Sequence, residues 1–220
     1  MKELYEKARG TYDHSANVAK LAEVASQAIG ANALLAKAGA YFHDLGKMTA
    51  KDVFDKHKLS RGIDSAQYFV ENQERGENPH DGLSPTMSAR ILRLHVEKSI
   101  VEIHRHRLGR EIEDIAAEHH GTTVMKYFYS RARELADNPD SVNPDDFRYD
   151  GPKPRTLESG IVMLADTVEA AVRTMKEYNE IKIRGRVESL INEKIQDKQL
   201  DECPLTFEEL RKIRESFVAV

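Results

Sequence analysis

An all-α fold is predicted by three features of the sequence. Apolar residues recur at helical spacing along most of the chain, capping residues stand where those runs begin, and no stretch alternates as a strand would. Met1 opens into a helix-like stretch. Val18, Leu21, Ala22, Ala25 and Ile29 share one helical face, and Gly30 is a natural stop. A second helix is expected from about Asn32 to Gly46, with Leu34, Leu35, Ala38 and Phe42 turned inward. From Met48 to about Leu83 the pattern is least regular, with Gly62, Gly76, Pro79 and Gly82 among many charges, so loop and short helix are expected. Ser84-Pro85 is an N-cap followed by proline at the first helical position, opening a helix with Met87, Ile91, Leu94 and His95. The next helix ends at His119-His120-Gly121 and turns Ile112, Ile115 and Ala116 inward. Another is expected from Thr122 to Ala136. Four prolines make Asn138 to Arg155 a loop. Thr156 to Met175 is a strong helix, and a mostly polar one follows at about Asn179 to Gln196. Thr206-x-x-Glu209 is a capping box for the last.

Composition narrows the class. The 220 residues suit one domain, or one domain with a small extension, and suffice for a real core. With 32% charged and 40% apolar residues, the chain is an ordinary soluble globular one. A net charge of −4 carries no general signature for DNA or RNA polymers, so an anionic ligand needs a local positive site. Cys203 stands alone, which excludes an intrachain disulfide framework and a thiolate zinc site and fits a reducing compartment. No apolar run approaches the roughly 20 residues that span a bilayer, and no secretory signal is visible. A chain that opens at Met1 directly into a helix-like stretch fits a whole soluble protein and equally a soluble piece cut from something longer.

The chemistry gathers around His43-Asp44, which closes the apolar run Ala40-Tyr41-Phe42. An imidazole and a carboxylate at the end of a buried helix are costly to desolvate without a partner, and a shared metal ion is one such partner. His14, His95, His119, His120 and Asp166 are further nitrogen and oxygen donors, a set that suits Fe, Mn or Zn. Asp166 lies inside the apolar run Ile161 to Val168, where a bare carboxylate is expensive. Each residue has an ordinary reading as well. A single histidine on a half-buried face is usually hydrogen-bonded in a core, an isolated Asp is an ion-pair partner, and a His pair complements a helix C-terminus. Their joint occurrence favours metal. His57, His104 and His106 lie in charge-rich stretches and are read as surface residues; His80, in Asn78-Pro79-His80-Asp81, is given a turn role.

The order His14, His43-Asp44, His95, His119-His120, Asp166 resembles the HD superfamily of metal-dependent phosphohydrolases, in its two-metal form. Flanking motifs sharpen the resemblance to one branch, the seven-transmembrane HD phosphodiesterases of the PgpH type. Among them are Gly10-Thr11-Tyr12-Asp13-His14-Ser15, His43-Asp44-Leu45-Gly46-Lys47, Glu71-Asn72-Gln73, Asn78-Pro79-His80-Asp81 and Glu118-His119-His120-Gly121-Thr122-Thr123. Ile29-Gly30-Ala31-Asn32, Phe147-Arg148-Tyr149, Gly151-Pro152-Lys153-Pro154, Met163-Leu164-Ala165-Asp166 and the run Gln199 to Thr206 complete the set. The resemblance spans almost the whole chain, 1–220. It implies a compact helical HD-domain bundle with a dinuclear site, an iron or manganese pair, and cyclic di-AMP cleaved to pApA. It also implies the cytoplasmic domain of a bacterial inner-membrane protein whose membrane and sensor parts are absent. One departure is a longer span after Lys47, where Asp52 to Ser65 reads as an insertion. Lys51 just before it and its Lys56, His57, Lys58 and Arg61 are read as a solvated excursion.

On this basis His14, His43, Asp44 and Asp166 are expected to hold one metal. Asp44 is expected to bridge to a second, held by His95, His119 and His120, with a metal-bridged hydroxide as nucleophile. Lys47, one turn past His43, is expected to contact phosphate as a point charge, against the alternative of a solvated lysine at a helix end. Arg148, Tyr149 and Lys153 are expected to meet substrate, against the alternative of a proline-stiffened connector. Three rivals stay open: the same chemistry on cyclic di-GMP or a guanosine polyphosphate, a nucleotide-binding sensor without turnover, and a helical interaction module with structural histidines. The oligomeric state is not legible.

Overall fold

The computed structural model describes residues 1–49, 65–73 and 78–220. The expected insertion Asp52 to Ser65 lies outside them save for Ser65, as do Lys51, Lys56, His57, Lys58 and Arg61. Ten α-helices and no strand are found among the described residues. In chain order they are α1 Lys2–Lys7, α2 Arg9–Ile29, α3 Ala33–Phe42, α4 Gly46–Thr49 and α5 Pro85–Arg105. Then come α6 Arg110–Glu118, α7 Lys126–Leu135, α8 Leu157–Arg173, α9 Glu180–Gln196 and α10 Phe207–Val218. None of the described helices is long and apolar enough to cross a membrane.

The ends of these helices follow from local chemistry. Gly30 closes α2 at φ 78°, a conformation that favours glycine. The Asn32 side chain accepts from the Leu35 N–H and caps α3. Ser84 caps α5 in the same way, with Pro85 beside it. Thr156 with Ser159, and Thr206 with Glu209, form capping boxes on α8 and α10.

The central core joins α2, α3, α8, α9 and α10. Val18, Ala22, Ile161, Leu164 and Ile213 are among its fully buried residues. Small residues on α2 and α3, including Ala19, Ala25, Ala36 and Ala40, let these helices approach closely. A second cluster, with Leu4, Leu45, Ile103 and Ala116, packs α1 against α5 and α6 and lies behind the His43-Asp44 turn.

Several sequence expectations are corrected. The second helix stops at Phe42, and a turn over residues 43–45 separates it from α4. Leu34 is 78% exposed; the inner face of α3 is Ala36, Gly39 and Ala40. A Cβ on Gly39 would meet Ile115 Cδ1 at 2.5 Å, so α3 uses its smallest residues to reach α6. The helix expected from Thr122 starts at Lys126. The residues before it pair with the proline-rich loop instead: the Met125 N–H donates to the Phe147 carbonyl at 2.8 Å and the Tyr149 N–H to Thr123 at 3.1 Å. That loop itself contains two short 3-10 turns, Pro139–Ser141 and Pro144–Phe147. The irregular stretch before α5 contains two more, Ser65–Tyr68 and Val70–Asn72.

Candidate metal centre

Five helices deliver donors to one buried point. His14 comes from α2, His95 from α5 and Asp166 from α8, while His43-Asp44 and His119-His120 stand in the turns that close α3 and α6. His14, His43, Asp44, His95, His119 and Asp166 are all buried, and His120 is half-buried.

Asp44 lies between two groups of imidazoles. Its Oδ2 is 3.2 Å from His43 Nε2 and 3.6 Å from His14 Nε2. Its Oδ1 is 3.3 Å from His95 Nε2 and 3.8 Å from His119 Nε2. Asp166 divides similarly. Oδ1 lies 3.0 Å from His14 Nε2 and 3.7 Å from His43 Nε2, whereas Oδ2 is 3.6 Å from His120 Nδ1. Three groupings have donor atoms within 4.8 Å of one another: His14 with His43 and Asp166, His43 with Asp44 and His119, and His95 with His119 and His120.

Backbone carbonyls aim the rings. Nδ1 of His43 faces the Ala40 carbonyl at 2.6 Å, and Nδ1 of His119 faces Ala116 at 2.7 Å. His95 does the same toward Leu92. Each ring donates to the carbonyl three residues back, which turns Nε2 toward the centre. For His14 the orienting group is a carboxylate, Glu169 Oε2, which meets Nδ1; Glu169 is held in turn by Asn17 at 3.2 Å.

Electrostatics separates the two halves. Burial disfavours a charged His14, but hydrogen bonds to Asp166 and Glu169 outweigh it and raise the ring to about 9. Burial likewise opposes charge on His43, yet Asp44 and Asp166 raise it to about 10. Burial dominates in the other half, lowering His95 to about 4 and His119 to about 3, with His120 also well below its usual value. Asp44 stays ionised despite burial because His43 and Lys47 face it.

The donor set fits divalent cations. Neither oxygen of Asp44 nor Nε2 of His43 makes a well-directed hydrogen bond among the described residues, although all three are sealed from solvent. Such groups are costly unless something positive or donating sits between them. Nitrogen and oxygen donors without thiolate suit hard or borderline metals.

Lys47 is nearly buried rather than solvated. Its Nζ lies 2.7 Å from Asp44 Oδ2 and donates to Glu71 Oε1 at 2.7 Å. Burial opposes its charge, but Asp44 and Glu71 raise its pKa. A cavity of about 450 Å3 adjoins the cluster, and His14, Lys47, His95, His120, Tyr149 and Asp166 all line it. The Tyr149 ring stacks on His120 with centroids 4.1 Å apart. Arg148 is turned elsewhere: it donates to the Thr122 carbonyl at 2.8 Å and to Asp197 at 3.2 Å, bracing the turn that carries His120. Lys153 is half-buried and is not in the wall of that cavity. His104 and His106 are exposed. His80 lies in a turn and bonds the Tyr68 carbonyl at 2.8 Å.

Sequence reasoning gave no role to Glu169 or Glu71. Glu169 was detectable as a second carboxylate one turn past Asp166 in the same apolar helix. Glu71 stands 24 residues from Lys47, and only folding brings the two together.

The model of the HD domain family matches residues 11–171. The cyclic-di-AMP phosphodiesterase PgpH of Bacillus subtilis is 43% identical over 210 residues, covering 96% of this chain and 27% of that protein. The PgpH of Listeria monocytogenes is 41% identical over 219 residues, covering 100% of this chain and 28% of its own length. The chain thus spans about a quarter of the length of these curated relatives. A crystal structure of the L. monocytogenes PgpH HD domain in complex with cyclic-di-AMP superposes with a TM-score of 0.87 at 40% identity, over 99% of this chain and 94% of that one.

Proposed function

The chain belongs to the HD domain family, and from that premise we propose that it is a metal-dependent phosphodiesterase opening cyclic di-AMP to the linear dinucleotide pApA. The observation that carries this reading is Asp44, whose two buried oxygens, neither with a well-directed hydrogen bond, face different sets of imidazoles. The substrate rests on the likeness to relatives named for cyclic di-AMP and to the domain crystallised with it.

In this reading His14, His43, Asp44 and Asp166 hold one divalent ion, iron or manganese. Asp44, with His95, His119 and His120, would hold a second. The chemistry such ions would supply there is activation of a water and neutralisation of charge on the phosphoryl oxygens. The chain supplies the rest. Lys47 places a fixed ammonium at the cavity wall, and Glu71 keeps it charged and aimed. Tyr149 holds His120 by stacking and presents its own ring to the cavity. Water adds to phosphorus, the P–O3′ bond breaks, and the 3′-oxygen leaves with a proton, which gives a 5′-phosphate and a free 3′-hydroxyl. By the same family likeness, residues 1–220 form one HD domain, the cytoplasmic catalytic part of a longer bacterial inner-membrane protein.

The test is incubation of the Mn(II)- or Fe(II)-loaded chain with cyclic di-AMP beside cyclic di-GMP, with products identified by mass. Formation of pApA, lost on chelation and restored by metal, is the expected result. Stoichiometric binding without turnover would favour a sensor. Asp44→Ala is expected to lose both metals and activity with its helical circular dichroism intact; full turnover by that variant, depleted of metal, would overturn the reading.

A further inference from the structure

The start of α2 is capped from a distant part of the chain. Its N-cap position is Ala8, which has no side-chain oxygen to offer the first N–H groups of the helix. Asn72, 61 residues away, serves instead: its Oδ1 accepts from the Thr11 N–H at 3.0 Å. The same amide donates from Nδ2 to Thr11 Oγ1 at 2.7 Å and to the Ala66 carbonyl at 3.2 Å, so its orientation is fixed. The Thr11 hydroxyl accepts from Asn72 and donates its own proton to Glu71 Oε1 at 3.2 Å. That oxygen is the one that holds Lys47 Nζ at 2.7 Å. Thr11 is fully buried. Gly10 lets the two segments meet: a Cβ there would lie 1.9 Å from the Glu71 carbonyl oxygen, which is backbone. His14 stands three residues past Thr11, so one face of α2 carries both the clamp on Glu71 and a candidate metal ligand.

We infer that Thr11, with Asn72, is a positioning residue for the reaction: it fixes the carboxylate that aims Lys47. This rests on the phosphodiesterase reading and deepens it. Neither residue lines the cavity beside the cluster, so both act through Glu71. An ammonium is a point charge on a flexible stem, and its place is set by the acceptors around it. For Lys47 these are Asp44 Oδ2 and Glu71 Oε1. The hydroxyl of Thr11 stops the Glu71 carboxylate from turning about its last bond. Because Thr11 and His14 share a helix, the ammonium and the histidine cluster are held to one rigid element. Small displacements of such a group are costly in rate even when their origin lies outside the site.

Thr11→Val keeps the shape and removes the hydroxyl, whereas Thr11→Ser keeps the hydroxyl. With the Mn(II)-loaded chain and cyclic di-AMP, Thr11→Val is expected to lower kcat/KM about tenfold at unchanged metal content, the order that a lost hydrogen bond to a charged group brings. Thr11→Ser is expected to restore it. Asn72→Ala, which cuts both bonds to Thr11 from the other side, is expected to act in the same direction. In a Lys47→Met background Thr11→Val is expected to have no further effect, because the two act as one unit. NMR of the Zn(II)-loaded chain, isotope-labelled at lysine, reads the clamp without turnover. The Lys47 ammonium resonance, identified by its loss in Lys47→Met, is expected to shift in Thr11→Val and to return in Thr11→Ser. Wild-type kcat/KM with an unmoved Lys47 resonance in Thr11→Val overturns the inference, and so does an equal loss in the Lys47→Met background. Failure of the wild-type chain to cleave cyclic di-AMP overturns the phosphodiesterase reading instead, and the resonance still decides whether Thr11 places Lys47.

Discussion

At the scale of single residues, the candidate centre is a problem in orientation. An imidazole offers two nitrogens, and only one can point at a metal. Three of the histidines settle this through a carbonyl three residues back, at no cost in extra side chains. His14, on α2, is oriented by a carboxylate instead. Glu169 supplies it from α8, and Asn17 fixes that carboxylate in turn. Replacing Glu169 by Gln keeps the shape and removes the charge. We expect Glu169→Gln to weaken metal binding by about 10- to 100-fold, the usual effect of a lost carboxylate partner behind a ligating histidine. Competition with a calibrated chelator measures it, and an affinity equal to wild type would show that Glu169 does not tune His14.

At the scale of helices, close approach decides where the candidate ligands stand. Gly46 opens α4 directly after the His43-Asp44 turn, and its N–H donates to Ser99 Oγ on α5 at 2.9 Å. A Cβ at Gly46 would lie 2.0 Å from the His95 carbonyl oxygen and 2.4 Å from the Ser99 nitrogen. Both neighbours are helix backbone and cannot swing aside. Gly46→Ala is therefore expected to push α4 from α5, separating Asp44 from His95, at a cost of about 1–3 kcal/mol in stability. Urea unfolding and metal analysis together test this: retained stability with two metals bound would mean that the helices shift without strain. The same physics explains a misread face. Periodicity selects the large residues of α3, Leu34 among them, but Ala36, Gly39 and Ala40 are the ones that pack, because Ile115 leaves no room for more.

At the scale of the whole molecule, the C-terminal helices brace the turn after His120. Lys194 of α9 is buried and donates to Thr123 Oγ1 at 2.9 Å, and Gln199 accepts from the Thr122 N–H at 2.8 Å. Burial lowers Lys194 to about 8 from an ordinary 10.5. Between those values the unfolded chain binds the extra proton and the folded one does not, so this group's contribution makes stability rise with pH. Below about pH 8 both states hold the proton and the full burial penalty applies. The unfolding free energy of wild type minus that of Lys194→Met is expected to increase from pH 8 to 10.5. A difference independent of pH over that window would mean that Lys194 keeps its proton in the fold.

Much of this architecture is visible in the chain because its determinants are local. Caps at Asn32, Ser84, Thr156 and Thr206 are read from neighbours a few residues apart, and the order of histidines and aspartates carries the family. What folding alone decided is long-range. Glu71 meets Lys47 across 24 residues, Glu169 meets His14 across 155, and Arg148 braces a turn instead of lining the cavity. Hydrogen bonds within a turn depend on sequence spacing, whereas the partner of a buried charge depends on which helices pack together. The sequence by itself therefore determined the helices, short of their exact ends, and the residues that gather at the centre. Only tertiary packing decided which atoms face each other.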